Sequence, residues 1–215
     1  PEGDASLTTE VRAGNAFAKV ISNARDGDKI TALMDFDIPS GDHQLNFNAT
    51  LDLGGKTVTP SGRILVQPAI KLTVQNGTIN KTNKEFIYMG EWGTGVSDTT
   101  VELKDVTIKK AVEAPNTCLF DVRAGSIIFD NVTANDGEYT INPKASHISV
   151  IHAGYKTRTL DQPINIEVKN SNIYTSGTSF ITSLGASDQD ANMGGYVLNI
   201  DIKDSVVDVD HYILL

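Results

Sequence analysis

The sequence predicts an all-β chain of the parallel β-helix class: a solenoid of about six to seven rungs behind a short N-terminal helix. Three observations predict it. A pattern of two alternating apolar residues, a turn residue and a returning apolar residue occurs six times. A separate apolar patch follows every copy, and a stretch with helical periodicity precedes the first.

Residues 1–28 form the N-terminal segment. Phe17, Val20, Ile21 and Ala24 stand at i, i+3, i+4 and i+7, one apolar helix face. Asn15 is the expected N-cap, and "DGD" at Asp26–Asp28 is the expected stop. A helix laid over the open end of a solenoid covers apolar core and blocks edge-to-edge strand pairing.

Residues 29–215 hold the rungs. The first apolar anchors are Leu51, Leu72, Val101, Ile127, Ile166 and Ile200, with second anchors at Leu53, Val74, Leu103, Phe129, Val168 and Ile202. A turn column follows at Gly55, Asn76, Asp105, Asn131, Asn170 and Asp204, and apolar character returns at Val58, Ile79, Ile108, Ala134, Ile173 and Val207. Taken alone, "KLTVQNGTIN" (Lys71 to Asn80) reads as strand, tight Asn-Gly turn, strand. The intervals between copies are unequal, shortest from Leu51 to Leu72 and longest from Ile127 to Ile166. Stacked strands joined by loops of variable length tolerate that spread. The later patches begin at Leu65, Phe86, Leu119, Val150, Phe180 and Tyr212, so each copy offers about three short strands.

Asn, Asp and Gly tolerate left-handed backbone and bond locally, so the turn column reads as a sharp bend between two strands. A row of calcium-binding carboxylates is the competing reading, but only Asp105 and Asp204 are charged. No cofactor and no metal are expected, and calcium is the one weak exception.

At 215 residues, 40% of them hydrophobic and 21% charged, the chain reads as one domain with a sizeable core. A net charge of −9 repels nucleic acid and anionic lipid, so neither is an expected partner. No apolar run reaches membrane-spanning length, and membrane insertion is not expected. The single cysteine, Cys118, excludes an internal disulfide and a zinc site built from cysteines.

The amphipathic stretch, the "GD.I" that follows it and rungs of the "LDLGGKTVT" kind resemble the pectate-lyase-like right-handed β-helix superfamily, from about Asn15 to Leu215. The resemblance implies a right-handed coil and says little about activity, because lyases, hydrolases, adhesins and phage spikes share that architecture. Lyases of this kind hold calcium with clustered acids and use Arg or Lys as base, and no such cluster is evident here. Polygalacturonase-type hydrolases carry "NTD", "DD", "GHG" and "RIK"; none of these occurs, and "NTC" at Asn116 lacks the acid.

The later patches supply the candidate site. Their third position falls at Gln67, Tyr88, Asp121, His152, Thr182 and Leu214, which alternation turns outward as a polar stripe. Trp92 in "GEWGTG", Arg123 and Tyr155 lie near it, and the combined row suits a glycan. Asp121, Arg123 and His152 are the candidates for acid, cation and base, should the stripe be catalytic. An Asp–Arg pair two residues apart on a strand is ordinarily a surface ion pair of small consequence. Two long polar stretches, Thr133–His147 and Ser183–Tyr196, read as loops.

The expectation is therefore a non-catalytic β-helix protein, extracellular or on a bacterial cell surface, that binds a glycan or serves adhesion. The alternative is a polysaccharide lyase or glycoside hydrolase acting on an acidic polysaccharide. "HYILL" at His211–Leu215 carries no amphipathic cap, which leads one to expect a further domain or a partner subunit at that end.

Overall fold

A computed structural model of the chain describes residues 13–90, 98–110, 117–135, 149–154, 163–175, 179–183, 197–209 and 213. Among the described residues it is mostly β, with one helix and parallel sheets, as the sequence predicts. The order begins α1 (Ala13–Asn23), β1 (Asp28–Thr31), β2 (Phe36–Ile38), β3 (Asp42–Leu45), β4 (Ala49–Asp52), β5 (Thr57–Pro60) and β6 (Arg63–Val66). It continues β7 (Lys71–Lys81), β8 (Ile87–Met89), β9 (Thr100–Lys110), β10 (Phe120–Val122), β11 (Ser126–Asn135) and β12 (Ser149–Ala153). It ends with β13 (Ile164–Lys169), β14 (Asn172–Thr175), β15 (Ser179–Ser183), β16 (Leu198–Lys203) and β17 (Val206–Val209).

The larger sheet runs β1-β4-β7-β9-β11-β13-β16, and the smaller runs β15-β12-β10-β8-β6-β3. A further row, β2-β5 and β14-β17, joins the larger sheet through the second halves of β7, β9 and β11. Among the described residues every pairing is parallel, and each strand pairs with the corresponding strand of the neighbouring copy. Leu72, Val101, Ile127, Ile166 and Ile200 face one another in unbroken register. So do Phe36, Val58, Ile79, Ile108, Ala134, Ile173 and Val207.

The turn column explains the long strands. Asn76, Asp105, Asn131, Asn170 and Asp204 have φ of 58°, 54°, 55°, 52° and 48°, and Gly55 has 77°. One left-handed residue bends β7, β9 and β11 without ending them. The Asn-Gly pair of "KLTVQNGTIN" is therefore the sharp bend expected of the turn column, set as a corner inside one continuous strand rather than between two separate ones. Side-chain bonds tie neighbouring copies together at this corner. Asn131 Nδ2 donates to Asp105 Oδ1 at 2.6 Å, Asn76 Nδ2 to Asp52 at 3.2 Å, and Asn170 Nδ2 to Asp130 Oδ1 at 3.1 Å.

The expected alignment shifts in the first copy. Leu51 pairs with Val74 rather than Leu72, because Gly54 and Gly55 add two residues to that corner. The wider corner brings Leu53 and the Lys56 carbonyl against Gly77, where a Cβ would lie 2.4 Å from Leu53 Cβ and 2.5 Å from Lys56 O. At the N-terminus, Asn15 lies inside α1 and is not its cap. Phe17 of α1 stacks on Phe36 at 5.7 Å and meets the His43 ring edge-on at 5.6 Å, so the helix covers β2 and β3. The expected loop at Thr133 begins later, because β11 runs to Asn135.

The inward residues form one core, threaded by Phe86, Phe120, Phe129 and Phe180 in successive edge-to-face contacts of 5.5–6.2 Å. At the other edge Ile200, Val207 and Val209 are half-buried and Ile202 is exposed, whereas Ile166, Val168 and Ile173 are fully buried. Tyr212 and Leu214 lie outside the described residues, as do residues 184–196 of the second expected loop.

The corner generates two predictions. Valine stands at the positions of β9 and β11 equivalent to Gly77, yet Gly77→Val should destabilise, and Gly77→Ala should cost about 1–3 kcal/mol, read from urea unfolding. Burial alone would raise the pKa of Asp52. Lys29 at 2.7 Å, Gln75, the Gly54 N–H and Asn76 outweigh it and hold the carboxyl well below its usual range. A depressed folded-state pKa gives stability that is present above the unfolded value and lost as pH falls toward the folded one. Asp52→Asn should therefore cost on the order of 1–2 kcal/mol at neutral pH, with the gap to wild type closing below about pH 4.

Candidate functional site

The smaller sheet places its central residues in one row. Gln44 pairs with Leu65, Leu65 with Tyr88, Tyr88 with Asp121, Asp121 with His152, and His152 with Thr182. Each strand adds one member, so the spacing along the row is the strand spacing of ~4.8 Å. Beside the row is a cleft of about 600 Å³, lined among others by Arg63, Gln67, Tyr88, Asp121, Arg123 and His152.

The predicted stripe is corrected in three respects. Gln67 does not stand in the row, because β6 pairs two residues out of the expected alignment; it still lines the cleft. Tyr88, Asp121, His152 and Thr182 are buried, where an exposed face was expected. Thr182 is in register with His152 but is bonded to Ser149 at 2.9 Å and is absent from the cleft lining. Trp92 and Tyr155 lie outside the described residues.

Asp121 is the centre of the charge network. Arg123, two residues on and so on the same face, grips it with Nε at 2.6 Å from Oδ1 and Nη2 at 2.8 Å from Oδ2. His152 Nδ1 stands 3.3 Å from Oδ1. Asp121 is buried and Arg123 nearly so, with side-chain exposures of 6% and 11%, so this is not the surface pair that was expected. Burial pushes the Asp121 carboxyl up, but the His152 hydrogen bond and the Arg123 charge prevail and hold it below the ordinary range. Burial opposes the Arg123 charge too, and Asp121 restores it, raising its pKa.

Reasoning from the sequence missed further lining residues. Arg63 bonds Asp42 through Nε at 2.8 Å and lies 4.0 Å from Glu85, and Thr117 donates to Glu85 at 3.1 Å. The Tyr88 ring meets both guanidiniums, Arg63 at 4.8 Å and Arg123 at 5.7 Å. Cys118 is buried beside them, and burial together with the charges of Asp121 and Glu85 pushes its thiol pKa well up. Such a thiol is a poor nucleophile. "DHQL" before "RILV" was the available signal, since it supplies one more strand to the same sheet.

The network combines forked charged groups, amides, a phenol ring and an imidazole in one recess. It can present bidentate hydrogen bonds and an aromatic surface to a polar ligand. Comparison with protein-family models, with curated proteins and with solved structures returned no match.

The buried pair gives a direct test of the electrostatics. Arg123→Ala should cost about 3–5 kcal/mol, because it strands a buried carboxylate. Asp121→Ala/Arg123→Ala should lose less than the two single changes together, read from a double-mutant cycle in urea.

Proposed function

We propose that the chain is a right-handed parallel β-helix protein that binds a glycan in this cleft without turning it over. The successive in-register parallel pairings support the solenoid. The same pairings support the resemblance to pectate-lyase-like proteins as a matter of architecture. The observation that carries the binding reading is the row Gln44, Tyr88, Asp121 and His152 beside a single cleft, with one row position per strand. A chain ligand lying across the strands meets a new side chain every ~4.8 Å. Hydroxyl-rich sugars suit forked Asp and Arg groups, and an aromatic ring suits their apolar faces.

The absence of turnover rests on charge. Glycoside hydrolysis calls for a carboxylic acid held protonated near neutral pH. Asp42 is instead pushed down by its hydrogen bond from Arg63, and Asp121, against its burial, by the His152 hydrogen bond and the Arg123 charge. An extracellular or bacterial cell-surface location belongs to the same proposal. A polysaccharide lyase or hydrolase is the second reading, favoured by the His152–Asp121 contact beside Arg123.

The test is isothermal titration against neutral and uronate oligosaccharides, with parallel assays for new reducing ends and unsaturated sugars. We expect binding of at least one class, weakened tenfold or more by Arg63→Ala and by Gln44→Ala, with no products. Turnover abolished by His152→Ala would transfer the assignment to the second reading. Failure to bind any member of a broad panel would overturn the glycan reading.

A further inference from the structure

Cys118, Asp121 and His152 converge at one point of the cleft lining, and we propose that they form a mononuclear site for a zinc-type divalent transition ion. This does not depend on what else the cleft takes up. One donor atom from each residue lies within 4.8 Å of the other two, and all three residues are buried. Thiolate, imidazole and carboxylate together are a donor set of zinc sites, and the thiolate and imidazole are too soft for calcium or magnesium.

The distances fit. Two ligand atoms each about 2.0–2.1 Å from a tetrahedral ion lie roughly 3.3 Å apart. His152 Nδ1 and Asp121 Oδ1 stand 3.3 Å apart, which is long for a hydrogen bond to nitrogen, whose usual length is ~2.9–3.0 Å. A sulfur bonded at ~2.3 Å belongs roughly 3.6 Å from the other ligands, so from a separation within 4.8 Å Cys118 closes by at most about 1.2 Å. Rotation of a short side chain covers that.

The surroundings complete the site. Arg123 contacts both oxygens of Asp121, Nε at Oδ1 and Nη2 at Oδ2, and so orients the carboxylate, as ligating carboxylates generally are oriented. All three ligands line the cleft, which gives an ion its entry path and leaves a fourth position for solvent or a polar ligand. The lining carries the carboxylates of Asp42, Glu85 and Asp121 against the guanidiniums of Arg63 and Arg123. A dication taken up in exchange for the thiol proton cancels that excess.

One cysteine rules out a zinc site made of cysteines, but a mixed site requires only one. The ligands are invisible as a motif. Cys118 and Asp121 are close in sequence, while His152 reaches them through the β10–β12 register.

The experiment uses the full chain, stripped with chelator and dialysed. Zinc chloride is titrated by calorimetry and cobalt chloride by absorbance. We expect one equivalent of each, with a thiolate-to-cobalt charge-transfer band in the near ultraviolet. Cys118→Ser should abolish the band, and it and His152→Ala should each weaken zinc binding tenfold or more. Circular dichroism checks that both variants remain folded. Because His152→Ala also removes a partner of Asp121, the nearly isosteric Cys118→Ser is the deciding variant. Cobalt binding without the band, zinc binding unchanged in folded Cys118→Ser, or no binding of either ion would each overturn the site.

Discussion

Parallel pairing in register, strand on strand, decides which side chains meet in this protein. A parallel strand has no hairpin partner and must wait for the chain to return before its backbone groups are satisfied. The return brings apolar residues over apolar residues, Val74 beside Leu103 and Leu103 beside Phe129, so hydrogen bonding and core packing depend on one alignment. A slip of one residue would turn every inward side chain outward. The left-handed corners guard against this. Asn76, Asp105 and Asn131 bend their strands at the same height, and their side-chain bonds tie one copy to the next.

That alignment was legible in the sequence wherever the copies had equal spacing around the corner. From Leu72 onward the expected anchors are the observed partners, because apolar alternation and the turn column constrain the register twice. Leu51 went astray because Gly54 and Gly55 both take left-handed φ and lengthen its corner by two residues. A shift of two preserves the inward-outward alternation, so hydrophobic pattern alone cannot detect it. The same ambiguity misplaced Gln67, since "RILV" alternates equally well when matched through Leu65. Asn15 was misjudged for another reason. A cap preference is local, and Ala13 and Gly14 extend α1 past it.

The candidate site was legible only as a row. Tyr88, Asp121 and His152 follow from the patches, whose register is sound from β8 to β12. Burial was not legible, because an outward strand position is exposed only when nothing covers the sheet. The partners of the row also escaped. Arg63 enters from a misaligned strand, and Cys118 precedes β10 without any repeat pattern to mark it.

Asp121 links the row to these partners. A buried carboxylate is costly unless its charge is met, and Arg123 meets it through both oxygens. In that low-dielectric setting its field is felt by every neighbour. It raises the Arg123 pKa, adds to burial in keeping the Cys118 thiol protonated, and draws in His152. A scaffold seeking stability alone would do as well with apolar residues of similar size at these positions. The chain instead sets an ionised acid, its guanidinium partner, an imidazole and a thiol against a cleft open to solutes. On the proposed reading such a group justifies its desolvation through what it binds. That is the physical ground for locating function on the smaller sheet, and for regarding the larger one as the frame that holds its register.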